Sequence, residues 1–307
     1  MISVHQISKR YDDIQALKEV SFEIGQAEFY GLLGPNGAGK TTTISILSTL
    51  LPADSGKVTI DGIDILQNPI ACKKRIGIVP QEIALYNEMS AVDNLLFWGG
   101  LYDVPSQELK QQIDRTLHLF GLHDRRQDKV KNYSGGMKRR INIASAILHA
   151  PKVLILDEPT VGIDPQSRNL IFEVLEQLHR DGMTIIYTTH YMEEVERLAQ
   201  RIGIIDHGVL IAEGTLDELK QQSDLQETIM VTCHDITESQ FQEINKSTTF
   251  VVKSGNSLSF SSNAVKQDLS SVIMNCHQVG LEISHIEIQK VNLESVFLQL
   301  TGKQLRE

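Results

Sequence analysis

Residues 34–42 read Gly34-Pro35-Asn36-Gly37-Ala38-Gly39-Lys40-Thr41-Thr42 and fit the spacing G-x-x-x-x-G-K-[ST]. The flanks give the match its physical weight. Upstream, Glu28 to Leu33 reads as a buried strand; downstream, Thr41 to Leu51 carries Ile44, Leu47 and Leu51 at helical spacing. The loop therefore joins a strand to a helix N-terminus. Gly34, Gly37 and Gly39 let the backbone turn without a side-chain clash, so its N–H groups point inward at an anion that the helix dipole also favours. Lys40 is placed to reach the β- and γ-phosphates of a nucleotide, Thr41 to put its hydroxyl on Mg²⁺, and Thr42 to face the α-phosphate side. A glycine turn with an accidental lysine would look the same in isolation, so the rest of the chain has to decide.

The composition sets the bounds. With 307 residues, 41% of them hydrophobic, the chain has room for one large domain and a small one. A net charge of -10 offers no field that attracts nucleic acid or an anionic membrane. Three cysteines, Cys72, Cys233 and Cys276, with no C-x-x-C spacing, suit a reducing cytoplasm. No secretory leader is evident and no apolar run approaches the roughly 18 residues of a membrane helix, so a soluble chain is expected.

Along the chain, Ile2 to Ile7 and Val20 to Ile24 read as short strands, with Tyr11 exposed in the turn between them and able to stack on an adenine ring. From Glu82 to about Ala150 the pattern becomes helical: Ser90-x-x-Asp93 is a capping box, Ser106 to Phe120 is amphipathic, and a third helix follows Ser134-Gly135-Gly136 with Met137 directed inward. Lys152 to Asp157 is a continuous apolar run suited to a strand buried on both faces of a parallel sheet. Asp164-Pro165 caps another helix, and Met183 to Tyr187 is a strand ending in Thr188-Thr189-His190. A tight hairpin is expected at His207-Gly208. Beyond a polar linker at Gln221 to Asp224 the order is strand 228–233, helix 237–246, strands 248–253 and 257–261, helix 264–279 and strand 281–289, the split β-α-β-β-α-β pattern. Asn245 to Thr248 reads as a loop. A last helix covers Leu293 to Leu300.

Strand ends carry the chemistry. Asp157 can hold the Mg²⁺ shell while Glu158 orients or deprotonates an attacking water. His190 can hydrogen-bond a γ-phosphate oxygen, and Gln81 can reach the metal or the water. Ligands of parallel sheets bind outside the carboxyl ends of strands, and four such ends here carry polar groups.

These residues occur in the order of an ATP-binding cassette ATPase and resemble it closely over about residues 2–215: Gly34 to Thr42, Gln81, Ser134-Gly135-Gly136-Met137, Leu154 to Glu158, Gly162-Ile163-Asp164 and His190. The resemblance implies an α/β P-loop NTPase core with a mainly parallel sheet, an antiparallel β subdomain and a helical subdomain at about 82–150, the whole spanning 1–220. A small C-terminal α+β domain, 221–307, would follow. It also implies a detached ATPase subunit that drives a separate membrane permease and forms a head-to-tail dimer, with itself or a related subunit, around two ATP molecules. Ser134, Gly135, Gly136, Met137 and Asp164 of one copy would then meet the nucleotide held by the other, and Tyr11 would be the adenine platform. Location at the inner face of the cell membrane, through the permease, goes with this. The signature here is Tyr133-Ser-Gly-Gly-Met137 where glutamine is commonest at the last position, and methionine cannot replace its hydrogen bond. That form, and the tail Leu293 to Gly302, resemble the exporter branch for drugs, antibiotics, lipids or surface polymers.

The rival function is a soluble cassette ATPase acting on nucleic acid or ribosomes. Tyr133 follows Lys40 too closely for a long coiled coil, and there is one cassette, so no nucleic-acid partner is expected. A nucleotide sensor without hydrolysis is disfavoured because Glu158 and His190 are both present.

Overall fold

The computed structural model describes residues 1–223, 225–247, 251–262 and 265–302. In chain order, β1 (Ile2–Tyr11) and β2 (Ile14–Ile24) form a hairpin, β3 (Phe29–Leu33) runs into the glycine loop, and α1 (Lys40–Leu47) leaves it. Then come β4 (Ser55–Ile60), β5 (Ile63–Asp64), the short α2 (Pro69–Lys73) and β6 (Ile76–Val79). The helical block is α3 (Ala91–Gly100), α4 (Ser106–Leu119) and α5 (Gly135–Ile147). The core resumes with β7 (Val153–Asp157), α6 (Pro165–Arg180), β8 (Thr184–Thr189), α7 (Met192–Leu198), β9 (Arg201–Asp206) and β10 (Val209–Gly214).

One sheet has the order β10-β9-β3-β8-β7-β6, with β9, β3, β8, β7 and β6 parallel and β10 antiparallel at the edge. A second, antiparallel sheet has the order β2-β1-β4-β5. The apolar run of β7 is buried on both faces, as its sequence requires. Leu154 and Leu156 join the core shared with the helical block, whereas Val153 and Ile155 join the core shared with the antiparallel sheet. The fold is thus the α/β P-loop NTPase class, with its antiparallel and helical parts. The capping box at α3 forms as read: Ser90 Oγ accepts from Asp93 N–H at 3.1 Å, and the Asp93 carboxylate accepts from Ser90 N–H at 3.4 Å.

Boundaries differ in ways that have local causes. β1 and β2 are longer than alternation suggested, because bulges let the ladder continue past irregular positions, and Tyr11 becomes the last residue of β1. Leu51 lies beyond α1. Gln221 and Gln222, expected in a linker, lie in α8 (Leu216–Gln222), and Asp224 is outside the described residues.

Backbone contacts divide the chain into two compact units, Met1–Leu216 and Asp217–Gln299, the first also taking in the described end of the chain from Leu300. The second unit contains β11 (Glu227–Cys233), α9 (Glu238–Ser247), β12 (Val251–Ser254), β13 (Ser257–Ser262), α10 (Val265–Gln278) and β14 (Ile283–Gln289), while α11 (Leu293–Thr301) follows. Its antiparallel sheet has the order β12-β13-β11-β14, the split pattern read from the sequence. Ile229, Val231, Leu258 and Phe260 pack with Ile244, Val272 and Cys276 in a core of its own. Asn245, Lys246 and Ser247, expected in a loop, instead end α9; Thr248, with parts of the strand expected at 248–253 and of the helix at 264–279, lies outside the described residues.

Candidate active site

The glycine loop has the geometry its sequence demands. Gly37 and Gly39 have φ of 80° and 112°, left-handed values that cost a side chain about 1 kcal/mol or more. Gly34 is fixed by proximity, since a Cβ there would sit 2.2 Å from the Ile205 carbonyl oxygen. The loop is braced from outside by the tip of the β9–β10 hairpin, where His207 and Gly208 both have positive φ, 47° and 78°. Gly208 N–H donates to Ala38 O at 2.9 Å, and Gly208 O accepts from Lys18 N–H at 2.7 Å. Pro35 is half-buried and Asn36 and Gly37 are exposed, as is Thr41; Thr42 is half-buried.

Lys40 is 5% exposed. Its Nζ donates to Gly34 O at 2.7 Å and Pro35 O at 3.2 Å, and lies 3.4 Å from Glu158 Oε1. Burial pulls its pKa below the ordinary lysine value, with Glu158 and Asp157 pushing back.

At the end of β7, Asp157 accepts from Thr188 Oγ1 at 2.6 Å. Glu158 then leaves the strand at φ 45°, a left-handed conformation unusual outside glycine. Its N–H donates to Thr188 O and Thr188 Oγ1, both at 3.1 Å, which holds the turn in place. The turn aims the carboxylate back over the sheet edge. Oε1 faces Lys40, while Oε2 lies 3.2 Å from His190 Nδ1, an approach without the alignment of a hydrogen bond. The ends of β3, β8 and β7, adjacent in the sheet, thus deliver Lys40, His190 and Glu158 to one point.

Gln81 is exposed in the loop after β6. Its position is set by Arg139 of α5, which is 4% exposed and donates through Nη1 to Pro80 O at 2.8 Å and through Nη2 to Gln81 O. Burial lowers the Arg139 pKa from its ordinary value.

A second patch gathers the remaining residues. Ser134 caps α5, its Oγ accepting from Met137 N–H at 3.2 Å, and Ser134 and Gly135 are exposed. Gly136 lies so close to the start of α6 that a Cβ would meet Ser167 Oγ at 2.1 Å and Asp164 Oδ2 at 3.0 Å. Asp164 caps α6 by accepting from Ser167 N–H at 2.9 Å, and hydrogen bonds from Ser167 hold its carboxyl below the usual range. Among the described residues no hydrogen bond or ion pair joins this patch to Lys40, Glu158 or His190. Met137 packs inward, as its helical phase requires: its side chain is 9% exposed in the helical core, with Sδ 3.5 Å from Arg125 Nη1. Tyr11 is 44% exposed at the end of β1.

Sequence reasoning missed Thr188, Arg139 and the hairpin brace, because each acts through a contact distant in sequence. It also passed over Asp114, His118 and His123, whose ligand atoms lie within 4.8 Å of one another. There Arg126 Nη1, 2.7 Å from His123 Nε2, already sits where a cation would.

The sequence pattern of the ABC transporter family matches residues 17–161. The linearmycin resistance ATP-binding protein LnrL of Bacillus subtilis (strain 168) is 43% identical, over 100% of each chain. The daunorubicin resistance ATP-binding protein DrrA3 of Streptomyces coeruleorubidus is 33% identical, over 99% of this chain and 97% of its own. Among solved structures, the dimer of the ATP-binding cassette MJ0796 in a post-hydrolysis state, bound to ADP and Pi, superposes with a TM-score of 0.64 at 25% identity, over 70% of this chain and 98% of that one.

Proposed function

This chain belongs to the ABC transporter family, and on that premise we propose how its residues divide the work of an ATP-hydrolysing subunit that energises a separate membrane permease. Lys40 and the N–H groups of residues 37–42 hold the phosphates, and Tyr11 stacks on the adenine. Thr41, Asp157 and Gln81 hold Mg²⁺, which when bound draws charge from the γ-phosphate. The oxygen donors fit a hard cation: a hydroxyl, a carboxylate already oriented by Thr188, and an amide. Glu158 accepts the proton of the attacking water, and His190 donates to a γ-phosphate oxygen. The observation that carries this reading is the Glu158 carboxylate itself, held between Lys40 and His190 at the ends of three adjacent strands.

The patch of Ser134, Gly135 and Asp164 belongs, in this proposal, to the nucleotide of a second copy packed head to tail. Two facts support it: among the described residues no hydrogen bond or ion pair joins the patch to its own chain's Lys40, and the MJ0796 cassette is dimeric. Ile83, Tyr86, Phe97 and Leu101, all exposed on or near α3 just beyond Gln81, make an apolar surface for the permease. Among the described residues no helix is long and apolar enough to cross a membrane, so the permease supplies the path. The second unit, Asp217–Gln299, bears on assembly or regulation and takes no part in the chemistry.

The names of LnrL and DrrA3, resistance proteins for linearmycin and daunorubicin, support an exporter of antibiotics. A host strain lacking this chain will be hypersensitive to such compounds, with rescue by the wild type and none by Glu158→Gln. Full rescue by that variant, or no change in sensitivity on deletion, sinks the proposal.

A further inference from the structure

Behind the catalytic point lies a buried carboxylate that the chemistry does not use. Glu194, in the first turn of α7, is 3% exposed. Among the described residues no ion pair reaches it; three hydroxyl groups face it instead. Thr160 Oγ1 lies 2.8 Å from Oε1 and 3.0 Å from Oε2, Tyr187 OH donates to Oε2 at 2.8 Å, and Thr189 Oγ1 donates to Oε2 at 3.0 Å. Thr160 Oγ1 and Tyr187 OH are also 3.2 Å apart, and Thr189 Oγ1 accepts from Tyr191 N–H at 2.9 Å.

The positions of these hydroxyls matter. Thr160 follows Glu158 by two residues and lies on the loop that ends at Asp164. Thr189 immediately precedes His190. Because side chains alternate along β8, Thr188 faces Asp157 and Thr189 faces Glu194, so both sides of the strand end are pinned. A buried carboxylate is tolerable only while donors surround it, and the network therefore resists movement of either segment alone.

We propose that Glu194 is a positioning residue that makes His190 and the Glu158-to-Asp164 loop move as one body, so that contact of His190 with the γ-phosphate is felt at the patch facing the second subunit. This rests on the assignment of His190 and Asp164 given above. A neutral amide in place of the carboxylate keeps the volume but removes the charge and turns one acceptor into a donor, so the three hydroxyls keep only one, weaker, acceptor between them.

The test is steady-state ATPase kinetics of the full chain with Mg²⁺, comparing Glu194→Gln, His190→Ala and the double variant. Glu194→Gln should lower kcat about tenfold with KM for ATP within about twofold. The double variant should be no slower than His190→Ala alone, since Glu194 acts through His190. Rates that multiply in the double variant, or wild-type kcat in Glu194→Gln, overturn the proposal. Wild-type turnover in His190→Ala would instead remove the site reading on which it rests. If Glu194→Gln fails to fold, Thr189→Val and Thr160→Val each remove one hydroxyl at constant volume, and both must slow turnover with KM unchanged; normal kcat in both overturns the proposal.

Discussion

Lys40 Nζ and Glu158 Oε1 lie 3.4 Å apart at the ends of two parallel strands that are separated in the sheet by β8. Neither side chain is more than 10% exposed, so cation and carboxylate face one another with little water between them. In this setting a charge placed near either has a large effect on the other.

Replacing Glu158 with glutamine keeps the shape and removes the base. Turnover should fall by about 100-fold or more while ATP still binds, and the protein should accumulate as an ATP-loaded dimer. Phosphate release and size-exclusion mass in ATP and Mg²⁺ measure both; near wild-type turnover counts against Glu158.

Lys40→Ala acts at binding. Losing a charged donor to phosphate should weaken ATP affinity about 10- to 100-fold, read by titration calorimetry. Unchanged affinity would mean that the loop is not the phosphate cradle.

Arg139→Met leaves the carbonyls of Pro80 and Gln81 without their buried donor. Relief of the guanidinium's own burial offsets part of the loss, so a destabilisation of about 2 kcal/mol is expected from urea unfolding. Because Gln81 loses its anchor to α5, ATP turnover should also lose its response to the permease. A variant as stable as the wild type would show that the anchor is dispensable.

His149 supplies a pH dependence. It stacks on Tyr102 with ring centroids 3.7 Å apart, and Nε2 hydrogen-bonds to Ile76 O at 3.0 Å. Burial pushes its pKa below the usual value. The unfolded chain therefore takes up a proton near pH 6.5 while the folded chain does not, so the contribution to stability is full above about pH 6.5 and is lost as pH falls toward the depressed folded value. Thermal melts from pH 7.5 to 5 should show a shallower decline for His149→Phe, which keeps the stack. Equal slopes would mean that His149 is not the group responsible.

Much of this was legible in the sequence because it is local. Gly34 to Thr42 specified its own turn, since the left-handed φ of Gly37 and Gly39 favours glycine, whereas the close approach of Gly34 to Ile205 waited on the assembled sheet. The run from Val153 to Leu156 announced a strand covered on both faces, and Ser90 and Asp93 announced their capping box. The chain order of strands and helices in the second unit followed from the alternation of its elements. Met137 followed its helical phase into the helical core.

By itself, then, the sequence determined the elements whose free energy comes from neighbours along the chain: turns, caps and periodic faces. Tertiary structure alone decided that Glu158 would bend out at φ 45° to meet Lys40 and His190, that Arg139 would hold Gln81, and that Glu194 would gather Thr160, Tyr187 and Thr189. The physical reason is that burial of a charge is costly until its partners are in place, and those partners arrive from distant strands only when the sheet assembles.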